Sequence, residues 1–105
     1  MRITTWNVNS IRRRIDAVLR WIEAERPDIL CLQETKCTED KFPRLEFADL
    51  GYISSVVGQP GYNGVAIVSR SPQANVDTSP IPIPEARARA RAGTIEGVRV
   101  INGYG

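Results

Sequence analysis

Two residues stand where polar chemistry could begin: Asn7 in TWNVNS and Glu34 in LCLQETK, each at the point where an apolar or β-branched run turns polar. If both runs are neighbouring parallel strands, an amide and a carboxylate share one hollow, because ligands of open α/β sheets gather beyond the carboxyl ends of the strands. Glu34 is a hard anionic oxygen donor suited to Mg²⁺, and Asn7 can orient it or contact a phosphate oxygen. The same two residues could equally do no more than cap strand ends. The 105 residues contain no histidine, so no Ser-His-Asp triad, Cys-His pair or imidazole base can be assembled from them. Chemistry here rests on carboxylates, amides, tyrosines and arginines. The formal net charge is only +2, but of 14 basic residues all except Lys36 and Lys41 are arginine. The guanidinium fork matches phosphate oxygens, although a codon bias toward arginine leaves the same mark.

The elements that would position these residues follow from periodicity. Residues 1–8 (MRITTWNV) are rich in β-branched residues and predict a strand. Ser10 is placed to cap a helix whose apolar stripe is Ile11, Ile15, Val18, Leu19 and Ile22, with Trp21 at its edge, and Pro27 stops it. ILCLQE then predicts a strand buried on both faces, which makes a βαβ unit with two parallel strands. Thr38 predicts a second helix through Phe42, Leu45, Phe47 and Leu50 that ends at Gly51. YISSVV and VAIVS, separated by GQPGYNG, predict an antiparallel hairpin. Residues 71–84 suggest a short strand and a loop, and VRVINGY a last strand. EARARARA is ambiguous between helix and a strand that would line up Arg87, Arg89 and Arg91.

Composition sets further limits. Apolar residues at 42% and charged residues at 25% are globular proportions, and the length suits one domain. The longest apolar run, Ile29–Leu32, is far below the roughly 18–20 residues of a membrane span, and with no basic, apolar, small-residue cleavage pattern in the opening residues secretion is not expected. Cys31 and Cys37 form a poor zinc site and are expected as reduced thiols of a cytoplasmic protein, Cys31 buried.

Read together and in order, TWNVNSIR, PDILCLQETK, GYNGVAIVSR and VRVINGY closely resemble the amino-terminal part of the exodeoxyribonuclease III and apurinic/apyrimidinic endonuclease branch of the endonuclease/exonuclease/phosphatase superfamily. The resemblance implies an α/β fold, the amino-terminal half of a two-sheet sandwich of the DNase I-like kind. It implies Mg²⁺-dependent hydrolysis of phosphodiesters in double-stranded DNA, from 3′ ends and beside abasic sites, with Mn²⁺ as an alternative ion. By the same resemblance Glu34 is the metal-binding glutamate and Asn7 the active-site asparagine, both expected to be catalytic and to hold the metal. Asn9 and Lys36 lie near the DNA backbone, Tyr104 is the site tyrosine, and Arg89 is the arginine of the A-R strand. Tyr62, Asn63 and Gly64 match the family's hairpin, where a turn role is expected. Trp6 is expected to pack beneath the site, and Arg91 falls where the family has an apolar residue.

Three family segments have no counterpart: the Y-x-P-x-G continuation, the G-D-x-N segment and a late Asp-His pair. The expectation is therefore an incomplete domain, inactive alone, lacking a base and further metal ligands, and monomeric unless a separate carboxyl-terminal half completes it. Half of such a sandwich should leave one sheet face uncovered and the isolated chain marginally stable. The rival readings are a non-catalytic arginine-rich nucleic-acid-binding module and a related phosphodiesterase or phosphatase.

Overall fold

The computed structural model describes residues 1–77 and 90–103. The chain begins with the predicted unit. Strand β1 (Ile3–Asn7) runs into helix α1 (Ile11–Glu25) and then strand β2 (Ile29–Gln33). The two strands pair in parallel, Ile3 opposite Ile29 and Asn7 opposite Gln33. All of β2 is buried, as a continuous apolar run in a central strand requires. The α1 stripe buries Ile11, Val18 and Ile22, while Ile15, Leu19 and Trp21 pack at its margin. Its last turn closes at Arg26, whose left-handed backbone lets its N–H bond the Ile22 carbonyl, and Pro27 follows.

Two helix signals are used differently from expectation. Ser10 occupies the cap position of α1 but its side chain caps nothing. The N–H groups of Ser10 and Ile11 instead donate to the carbonyls of Glu34 (2.8 Å) and Thr35 (3.1 Å), so the loop after β2 supplies the cap. The predicted helix from Thr38 to Gly51 is broken in two, a 3₁₀ turn Glu39–Lys41 and helix α2 (Arg44–Asp49). Pro43 is the cause: it offers no N–H and holds Phe42 extended. Leu45, placed on the expected stripe, is consequently exposed, whereas Phe42 and Phe47 stack with centroids 5.5 Å apart. The Thr38 hydroxyl bonds the Asp40 carboxylate rather than a helix N–H, and this holds the Asp40 carboxyl below its usual range.

Strands β3 (Ile53–Val57) and β4 (Val65–Ser69) form the predicted antiparallel hairpin, and β4 also pairs antiparallel with β2. The first sheet thus has the order β1-β2-β4-β3. A second sheet, β5-β6-β7, consists of Ala74–Asp77, Ala90–Ile95 and Val98–Gly103. Its β6–β7 turn has positive φ at both Glu96 and Gly97, as a two-residue hairpin turn demands. Ala90–Ala92 of the ambiguous EARARARA stretch are strand, and residues 85–89, including Arg87 and Arg89, lie outside the described residues.

The layers follow from alternation along β2. Leu30 and Leu32 face α1 and α2 with Val56, Ala66 and Val68. Ile29 and Cys31, with Ile67, face Ile95 and Val100 of the second sheet. Both cysteines are free and buried, and burial pushes the Cys31 thiol up to about 11. Arg91 points inward and donates from Nε to Ser55 Oγ at 2.6 Å. Among the described residues both faces of the four-stranded sheet are covered, one by the helices and the other by the second sheet. The large apolar side chains exposed on strands are Ile3, Ile53, Val76, Val98 and Ile101, and every one lies on an edge strand. Among the described residues no helix is long and apolar enough to cross a membrane.

Candidate active site

Parallel pairing brings the ends of β1 and β2 side by side, and four side chains close a ring there. Asn7 Nδ2 donates to Glu34 Oε2, and Asn7 Oδ1 accepts the Asn9 backbone N–H at 3.2 Å. Lys36 Nζ donates to Asn9 Oδ1 at 2.5 Å and stands 3.9 Å from Glu34 Oε1. Glu34 and Lys36 keep about a third of their side-chain surface open (33% and 31%), enough for a ligand to reach them. Glu34 is thus gripped on one oxygen by an amide, while its other oxygen faces a cation without a hydrogen bond.

The backbone beneath this ring is unusual. Asn9, Ser10, Glu34 and Lys36 all have positive φ (46°, 87°, 55° and 57°), the left-handed region that L-residues disfavour. They are held there by hydrogen bonds between three loops. Val8 and Ser10 donate to Gln33 and Glu34, while Thr35 and Lys36 donate to the carbonyls of Gly64 (3.1 Å) and Asn63 (2.9 Å). Gly64 is required at this contact, since a Cβ on it would sit 2.2 Å from Thr35 Oγ1. Asn63 and Gly64 accordingly serve to dock the 34–36 loop, the expected turn role, and Tyr62 is exposed beside them. Trp6 packs edge-to-face on Trp21 of α1, centroids 5.9 Å apart, at the margin of the core.

Cations gather next to the ring. Arg12, Lys36 and Lys41 line a hollow of about 270 Å³ with Cys37, Thr38, Pro60 and Gly61. Such a surface attracts an anion of phosphate type. Among the described residues no three His, Cys, Asp or Glu side chains converge on a common point. Glu34 alone suits an ion that keeps most of its shell as water or phosphate oxygen, which is how Mg²⁺ is commonly held. Asn7 has both ends of its amide engaged within the protein, so in this arrangement it orients the carboxylate. Tyr104 and Arg89 lie outside the described residues.

Sequence reading passed over Arg12, the tight Gly64–Thr35 contact, and Gln33 with Asn102. The last two are buried amides that meet between the sheets. An amide in an otherwise apolar strand run, as in ILCLQ and VRVIN, is the one signal that could have marked them.

Comparison with known proteins supplies the family. Residues 4–105 match the family model described as Endonuclease/Exonuclease/phosphatase family. The chain is 39% identical over 85 residues to the DNA repair nuclease APEX1 of Danio rerio, a match covering 72% of this chain and 26% of that protein. Among solved structures, the 3′-5′ exonuclease NExo of Neisseria meningitidis superposes with a TM-score of 0.93 at 46% identity, over 99% of this chain and 41% of that one. The same Neisseria protein has been solved as a 3′ phosphatase bound to a product DNA hairpin. An AP endonuclease of Archaeoglobus fulgidus gives 0.93 at 41% identity, over 99% of this chain and 40% of its own. The chain therefore spans between a quarter and about two fifths of the length of these relatives. Two sheets flanked by helices, in the arrangement of these DNase I-like structures, and a match over nearly its whole length place the chain in the endonuclease/exonuclease/phosphatase family.

Proposed function

We propose that this chain carries the metal-holding wall of a DNA repair phosphodiesterase, a 3′-5′ exonuclease and abasic-site endonuclease acting on double-stranded DNA. The closed ring of Asn7, Glu34, Lys36 and Asn9 at the ends of two parallel strands carries the reading. In it, Glu34 holds Mg²⁺, or Mn²⁺ in its place. The ion supplies Lewis-acid stabilisation of charge on the phosphate when bound. Asn7 fixes the rotamer of Glu34, and Lys36 and Arg12 hold phosphate oxygens of the DNA strand. Asn9 keeps the Lys36 ammonium in place by accepting its hydrogen bond. Arg89 and Tyr104 join the DNA-facing set on family resemblance. Two buried free thiols suit a reducing compartment, and the cytoplasm is the proposed location of a monomer.

A second reading, 3′-phosphatase activity, is favoured by the Neisseria neighbour, which is described both as a 3′-5′ exonuclease and as a 3′ phosphatase. Both reactions attack a phosphorus at a DNA 3′ end, so one site could serve either. The test is a chimera in which residues 1–105 replace the matching segment of the Neisseria enzyme. It is presented with an abasic-site duplex, a recessed 3′ end and a 3′-phosphate. We expect Mg²⁺-dependent turnover that Glu34→Gln lowers roughly a hundredfold or more. A Glu34→Gln chimera as active as its parent would overturn the assignment of Glu34. Turnover confined to the 3′-phosphate would select the second reading.

A further inference from the structure

Only two buried amide side chains occur among the described residues, Gln33 and Asn102, and they meet between the sheets. Gln33 Nε2 donates to Asn102 Oδ1 at 2.8 Å and lies 2.7 Å from Thr5 Oγ1. Asn102 Nδ2 donates to the carbonyls of Leu32 (2.9 Å) and Ala66 (2.8 Å). Asn102 is 3% exposed and its surroundings are apolar: Ile29, Cys31, Ile67, Ile95 and Val100 fill the same layer. An apolar side chain would fill this space without needing partners, so the amide calls for a reason beyond packing.

The reason lies in what Asn102 grips. Leu32 and Ala66 face each other in the β2–β4 register. Two residues beyond Leu32 is Glu34, and two residues before Ala66 is Gly64. The loops that begin at those points are the ones that bond each other, Thr35 to Gly64 and Lys36 to Asn63. One side chain from the second sheet thus ties together the two strands of the first sheet at the place where the site loops depart. Asn102 also holds Gln33, whose backbone carbonyl receives the Val8 N–H and whose neighbour is Glu34 itself.

We infer that Asn102, acting through Gln33 and the β2 and β4 carbonyls, is a positioning residue that holds Glu34 and its loop in metal-binding geometry. It touches neither metal nor substrate. The inference rests on the proposed role of Glu34, and it predicts that the second sheet tunes the Glu34 ring, whose members all stand on the first sheet and its loops. Comparable outer-shell groups around metal ligands change affinity by about 10- to 100-fold when lost.

The test uses the full chain with Mn²⁺ as the probe, its binding followed by electron paramagnetic resonance, and amide hydrogen exchange as a second, metal-free readout. Variants are Asn102→Leu, Gln33→Leu, the double Gln33→Leu/Asn102→Leu, and Glu34→Gln. Each single apolar variant leaves the other amide without one partner, Asn102 Oδ1 without its donor or Gln33 Nε2 without one acceptor, and should lose stability, whereas the double removes both and should recover part of it. If Asn102 positions the site, the double variant still binds Mn²⁺ about tenfold or more weakly, and its Ser10, Ile11 and Thr35 amides still exchange faster than in the parent. A double variant with parental Mn²⁺ affinity and parental protection of those amides would overturn the inference. Parental protein that binds no Mn²⁺, or binds it equally well as Glu34→Gln, would instead remove the reading of Glu34. The exchange data would then judge Asn102 alone.

Discussion

Replacing Gly64 with alanine tests the loop architecture of the site most directly. The new Cβ would meet Thr35 Oγ1 at 2.2 Å and the Lys36 nitrogen at 3.3 Å, on a backbone with φ of +96°. The left-handed conformation alone costs a non-glycine residue about 1–2 kcal/mol. The overlap cannot relax cheaply, because Thr35 is fully buried and its own N–H bonds the Gly64 carbonyl. Backing away would weaken that bond, worth about 1 kcal/mol, and forced overpacking costs about 1–3 kcal/mol. Gly64→Ala should therefore destabilise by about 3–4 kcal/mol, a large part of a small domain's net stability. Thr35→Ala removes the clashing oxygen. By itself it should be nearly neutral, since Thr35 Oγ1 is buried with no hydrogen-bond partner and losing it offsets the lost methyl contacts. In the Thr35→Ala background, Gly64→Ala should cost only about 1–2 kcal/mol, the conformational part. The coupling between the two positions is then about 2 kcal/mol. Urea unfolding of the four chains, followed by the fluorescence of Trp6 and Trp21, measures it. If Gly64→Ala costs as much without the Thr35 hydroxyl as with it, the steric account of this loop is wrong.

Other outcomes follow from single groups. The Cys31 thiol is raised from 9.0 to about 11 by burial, so the folded state resists its ionisation. That contribution is intact below pH 9 and is lost as pH rises through about 11, amounting to about 2–3 kcal/mol. Cys31→Val should flatten the decline of stability between those pH values, measured by urea titration at each pH. Lys36→Met should weaken binding of a DNA duplex and reduce the slope of log affinity against log salt by about one, read by fluorescence anisotropy over a salt series. An unchanged slope would mean that Lys36 meets no phosphate.

The strongest periodicities in the sequence were sufficient for the first half of the fold. The alternation of β1, the α1 stripe and the unbroken apolar run of β2 each have a single physical solution, and together they set Asn7 beside Glu34. Asn9 and Lys36 were marked by the family resemblance and not by periodicity, and each lies two residues past a strand-end candidate residue. The helix from Thr38 was misread because its apolar spacing continues through Pro43, whose missing N–H breaks it. Ser10 was misread because its partner is a backbone carbonyl from a distant loop. Asn102 carried only the weak signal of an amide within an apolar strand run. Its partners lie 36 to 70 residues away in sequence, so what it holds could not be read from VRVIN. Local pattern thus marks the candidate site groups, while the groups that hold them are revealed by long-range packing.

The four left-handed residues at the site have a consequence for how this chain can change. Each sits in a conformation that costs about 1–2 kcal/mol. Glycine at any of the four would relax the backbone and yield a sturdier protein, but at Asn9, Glu34 or Lys36 it would also delete a member of the ring. Selection for robustness and selection for activity therefore pull these positions in opposite directions. Ser10 is the exception, since its side chain lies outside the ring and caps nothing, and Ser10→Gly is the stabilising substitution among the four that leaves the ring intact.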